Sequence, residues 1–146
     1  MAEVVTRSLL EEAELGDRVT VASTGTGDWH IGNPANPGSV RALAARGYDA
    51  SRHRAQQLTS DRLADYDVLV GLDTANLSDI GRLLRRTQPE HRPEVALLRD
   101  FVPGGEHGLG VPDPYGMGDA AFQHALDLVE EACRGLIAEL GIRLLR

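Results

Sequence analysis

Apolar side chains recur at steps of four, three, four, three and four through Phe122, Leu126, Val129, Cys133, Leu136 and Leu140. Steps of that size keep returning to one face of a helix, so the stripe predicts an amphipathic C-terminal helix laid on a core. The opening stretch MAEVVTRSLLEEAEL carries Val5, Leu9 and Leu10 at near-helical spacing and runs to Gly16, which predicts a first helix with glycine as its stop. A second helix is predicted from about Pro37 to Arg46, ended by Gly47. Other segments lack this period. YDVLVGL and EVALL are continuous apolar runs, as in strands of a parallel sheet covered on both faces. RVTVAS, residues 18 to 23, is β-branched and brief, and predicts a strand entering the loop TGTGDWHIGNPANPG. DTANLSDIGRLLRR reads as the crossover helix between the two apolar runs, with Asp73 as its N-cap.

The resulting order is helix, strand, helix, strand, helix, strand, helix, which is the alternation of a doubly wound α/β fold with a parallel sheet. Its start is irregular. Such folds open with a strand, and the loop from that strand into the first helix presents backbone N–H groups to anionic ligands. Here the first helix begins within a residue or two of Met1.

Composition narrows the picture. The chain has 146 residues, 42% of them apolar, without repeat, low-complexity tract or long linker, so residues 1–146 are expected to form one domain. No segment reads as a membrane span or signal peptide, and a cytoplasmic location is expected. A formal charge of −7 argues against nucleic acid and anionic membranes as partners. The single cysteine, Cys133, excludes an intrachain disulfide and a thiolate zinc cluster, and no pair of histidines stands at ligand spacing, so neither metal nor cofactor is expected. Cys133 lies mid-stripe and is expected to be a small core hydrophobe.

The stretch VPDPYGMGD, residues 111 to 119, carries the candidate chemistry. Pro114 fixes its own φ and biases Asp113 away from the α region, presenting the carboxylate on a restricted backbone. Taken by itself, Asp-Pro is a common turn pair whose acid hydrogen-bonds nearby amides, and that reading prevails on the residues alone.

Six segments in order, MAE, STGTGDWHIG, ARGYDASRHRAQQL, LVGLDTANL, VALLRDF and VPDPYG, give the chain its resemblance to the low-molecular-weight protein tyrosine phosphatases over nearly its whole length. In that family the Ala-Glu of MAE directly follows a Cys-x5-Arg phosphate-binding loop. The resemblance implies a cysteine thiolate that attacks phosphorus, with loop amides and arginine stabilising the transferring phosphoryl group, and a substrate that is a phosphotyrosine protein or small aryl phosphate. It implies Asp113 as the acid that protonates the leaving phenolate and then activates water. Trp29 and Tyr115 resemble the aromatic walls beside the substrate ring, and Ser23 a serine that supports the phosphate loop. His53 and Asp73 resemble loop-holding residues, Asp73 and Asn76 matching Asp-x-x-Asn. Two positions depart from the pattern: Gly116 stands where a second tyrosine is usual, and Gln56 where an arginine is common.

Cys133 does not replace the nucleophile, because the sixth residue after it is Glu139. The 146-residue chain is therefore expected to be inactive. Three explanations compete. Met1 is internal to a longer protein, the expectation favoured because the family's central strand is otherwise missing from the sheet; or the chain is a pseudophosphatase that binds phospholigands or proteins; or it pairs exposed strand edges with another chain, a route to self-association. The related arsenate reductases are a weaker alternative, since they also need cysteines not found here.

Overall fold

The computed structural model describes residues 1–25, 32, 36–51, 53–54 and 56–145. Helix α1 (Ala2–Glu12) turns Val5, Thr6 and Leu10 inward. Helix α2 (Pro37–Ala44) begins at Asn36, whose side chain accepts from the Gly38 amide, with proline at the first position where its missing N–H costs nothing. A short 3₁₀ helix (Ser60–Asp65) leads into β1 (Val68–Gly71). Helix α3 (Thr74–Thr87) follows, then β2 (Glu94–Leu97), a second 3₁₀ turn (Leu98–Phe101), and the long helix α4 (Asp119–Leu144).

β1 and β2 pair in parallel, with Leu69 opposite Val95 and Val70 opposite Ala96. Alternation sends neighbouring side chains to opposite faces. Leu69 joins Leu58, Leu63, Ile80 and Leu84 under α3, while Val70 packs on the larger core built from α1, α2 and α4. Helices thus cover both faces of the sheet, as expected of the doubly wound class. The C-terminal stripe is buried as its spacing requires: Phe122, Leu126, Val129, Cys133 and Leu136 all lie in the core, with Leu140 packed at its margin. A second row, Ala125, Ala132 and Ile137, widens the buried face beyond the one read from the stripe. Gly135 allows close approach here, because a Cβ would collide with the Phe101 carbonyl oxygen.

Several boundaries differ from expectation. The first helix stops at Glu12, and the left-handed residue is Glu14 (φ 60°), ahead of Gly16; the Leu15 amide donates back to the Leu10 carbonyl and closes the end. Residues 18–23 do not form the expected strand. Among the described residues they have no ladder partner, and their groups go elsewhere: the Val19 amide to the Leu15 carbonyl, the Val21 carbonyl to Arg7, and the Ser23 amide to Glu3. β-branched residues favour a pleated surface only where a neighbouring strand exists to make one. Among the described residues, a parallel bridge between Gly25 and Gln57 gives this region its sheet contact. Both 3₁₀ turns escape the sequence pattern, being too short to show a period.

Candidate functional site

The C-terminal end of β1 carries the acid loop. Asp73 caps α3 by accepting from the Asn76 amide at 2.7 Å, and Asn76 in turn accepts from the Leu72 amide at 3.1 Å. The matching Asp-x-x-Asn pair therefore locks the turn after β1, with capping as the role of Asp73. The Leu72 carbonyl then accepts from the Val111 amide at 2.8 Å, which ties the root of the loop to the strand end. Ligands of open α/β sheets bind outside the carboxyl ends of the strands, and the loop holding Asp113 is fastened there.

Asp113 is exposed, and its Oδ1 accepts from the Tyr115 amide at 3.0 Å. This is the local turn expected of Asp-Pro. Oδ2 has no hydrogen-bond partner among the described residues, so one oxygen stays open to a ligand. Tyr115 is 72% exposed and Met117 70%, and the Met117 amide donates to the Pro114 carbonyl to close the turn. Gly116 takes φ +75°, a conformation a second aromatic there would adopt only with strain. Trp29 and His30 lie outside the described residues.

A second cluster gathers around Glu3, a residue that carries no role in the sequence reading. Glu3, its side chain 10% exposed, accepts from the Ser23 amide at 2.8 Å through Oε1 and faces His53 Nδ1 at 3.2 Å through Oε2. Arg7, one turn on, lies 3.7 Å from Oε2. Ser23 and His53 are thus brought together through a shared carboxylate, which supports loops from the first turn of α1, where negative charge is favoured. The signal was present in MAE: an acid with an arginine four residues on, at the start of an amphipathic helix. Among the described residues no hydrogen bond or ion pair joins this cluster to Asp113. Gln56 holds the same region by its backbone, its carbonyl accepting from the Gly25 amide at 2.7 Å.

Cys133 is fully buried, and its Sγ lies 3.3 Å from Thr6 Oγ1. Burial pushes its thiol above the usual range, with the Thr6 contact opposing in part. That is the reverse of what a nucleophilic thiolate needs. A cleft of about 250 Å³ between α1 and residues 19–21 contains none of the candidate residues, and its Arg7 is already committed to the Val21 carbonyl. No group of three potential metal ligands occurs among the described residues, nor is any helix there long and apolar enough to cross a membrane.

Comparisons with known proteins bear on the family and the fold. Residues 1–143 match the family model described as low molecular weight phosphotyrosine protein phosphatase. A low molecular weight protein-tyrosine-phosphatase of Streptomyces coelicolor is 41% identical over 94% of this chain and 83% of its own length. Low molecular weight protein-tyrosine phosphatase A of Mycobacterium tuberculosis is 39% identical over 100% of this chain and 86% of its own. Among solved structures, YfkJ from Bacillus subtilis superposes with a TM-score of 0.85 at 27% identity, covering 97% of this chain and 86% of that one.

Proposed function

Because the chain belongs to the low molecular weight phosphotyrosine protein phosphatase family, we propose that it is built to hydrolyse phosphotyrosine or small aryl phosphate monoesters, with Asp113 as the proton-transferring group. The supporting observation is the setting of that carboxylate, exposed with Oδ2 open, on a loop fastened to the carboxyl end of β1. In the first half-reaction Asp113 protonates the phenolic oxygen as its bond to phosphorus breaks and the phosphoryl group passes to a cysteine thiolate. In the second it takes a proton from the water that displaces the cysteine. Tyr115 and Trp29 offer flat apolar surface to the substrate ring. Thiolate chemistry of this kind suits a reducing compartment, which supports a cytoplasmic location, and no cofactor takes part.

The 146 residues supply the acid without the nucleophile, since their only cysteine is buried in α4. The test is release of p-nitrophenolate from p-nitrophenyl phosphate by the 146-residue protein, and the expected result is no turnover above buffer. Turnover abolished by Cys133→Ser would make Cys133 the nucleophile and overturn the assignment. In any polypeptide that does turn over, Asp113→Asn slows the reaction by about 10²- to 10⁴-fold. Saturable binding of a phosphotyrosine peptide without hydrolysis would instead favour a binding module.

A further inference from the structure

One cation holds the acid loop from behind. Arg99 stands in the 3₁₀ turn after β2, directly after Leu97 and Leu98, which are 2% and 1% exposed, so its backbone is anchored in the core. Its Nη1 donates to the Gly110 carbonyl at 2.9 Å. No carboxylate pairs with Arg99 among the described residues, so this contact is the use the charge is put to. From the other side Val111 donates to the Leu72 carbonyl, and Gly110 lies so close to the turn after β1 that a Cβ would stand 2.9 Å from the Cβ of Asp73. The neighbouring Asp100 accepts from the Gly108 amide at 2.8 Å. Residues 108–111 are therefore gripped between the ends of β1 and β2. Beyond them, the hydrogen bonds of residues 112–117 among the described residues are internal to the loop: Tyr115 to Asp113, and Met117 to Pro114.

We propose that Arg99 is a positioning residue for Asp113, fixing the Gly110 carbonyl against the end of β1 and so setting where the carboxylate stands. The functional meaning rests on Asp113 being the acid; the placement itself does not. The connection between the two is stiff. Pro112 and Pro114 flank Asp113, each with φ locked near −65°, so a shift at Gly110 passes along the chain instead of being absorbed by rotation. A charged donor to a carbonyl is also stronger than a neutral one, and the guanidinium fork keeps its direction where an ammonium does not.

The test compares Arg99→Met and Arg99→Lys in the full 146-residue chain by NMR. It follows amide hydrogen exchange residue by residue and the side-chain carboxyl carbon resonance of Asp113. Arg99→Met is expected to speed exchange of the Val111 amide by about ten-fold, the order expected for losing a hydrogen bond to a charged group. The Asp113 resonance shifts with it, while amides of β1, β2 and α4 keep their rates. Arg99→Lys restores part of both. An unchanged Val111 rate overturns the proposal. So does equal acceleration across β1, β2 and α4, which would make Arg99 a general stability residue. These signals come from the loop and not from turnover, so they stand or fall independently of any phosphatase assay.

Discussion

On α4, Cys133 is enclosed by the core and meets the Thr6 hydroxyl; on the acid loop, Asp113 lies in the open with one oxygen engaged by its own turn and the other without a hydrogen-bond partner among the described residues. Both residue types serve as reactive groups in enzymes, and here their surroundings assign them opposite fates. The cysteine gains packing and loses thiolate character, because burial disfavours the charged form. The carboxylate contributes little to packing and keeps its solvent access. The helical side of the molecule thus holds the buried thiol, and the loop at the strand ends holds the exposed carboxylate.

Substitutions on the two sides separate these roles. Leu126, fully buried in α4, should cost about 2 to 5 kcal/mol when changed to alanine, read as a lower denaturant midpoint. Gly135→Ala should cost about 1 to 3 kcal/mol by forcing α4 away from Phe101, seen in the same measurement. Glu3→Gln lies between the two regions. It weakens the grip on Ser23 and His53 and should cost about 1 to 3 kcal/mol, with faster exchange of the Ser23 amide as its local mark. Asp113→Asn should shift the midpoint by less than about 0.5 kcal/mol, and a larger loss would place the acid on the structural side of the comparison.

Alkaline titration sharpens the contrast from the buried side. Burial and, after it, the hydrogen bond to Glu130 raise the Tyr48 hydroxyl above its ordinary value, and burial raises the Cys133 thiol. Groups raised in the folded state keep their protons there longer than in the unfolded chain. Their contribution is full below the unfolded values and is lost as pH rises past them. Urea midpoints should hold at neutral pH and fall above about pH 9 to 10, less steeply in Tyr48→Phe. A small effect is also expected of Arg143→Met. Its ion pairs with Glu94 and Glu139 lie at the surface, so the loss should stay below about 1 kcal/mol and shrink further in high salt.

Much of this molecule was legible in one dimension. The period of Phe122 to Leu140 and the apolar runs at residues 66–72 and 94–98 were enough for helices, strands and their parallel pairing, because side-chain period is set by local backbone geometry. Asp73 as a cap and Asp113 as a turn acid were equally local, their partners lying two or three residues away. The failures were non-local. Residues 18–23 had the composition of a strand, and only the absence of a ladder partner among the described residues kept them out of the sheet. Glu3 meets Ser23 and His53 across 20 and 50 positions of sequence, and Arg99 meets Gly110 across 11. No periodicity encodes such meetings, since they depend on how α1 and the strand ends come together in space. The sequence by itself determined which residue is the candidate for the acid chemistry and which face of each helix is apolar. The tertiary structure alone decided which charge meets the Gly110 carbonyl and that the single thiol is buried in the core, because packing distances and solvent access exist only once the chain has closed on itself.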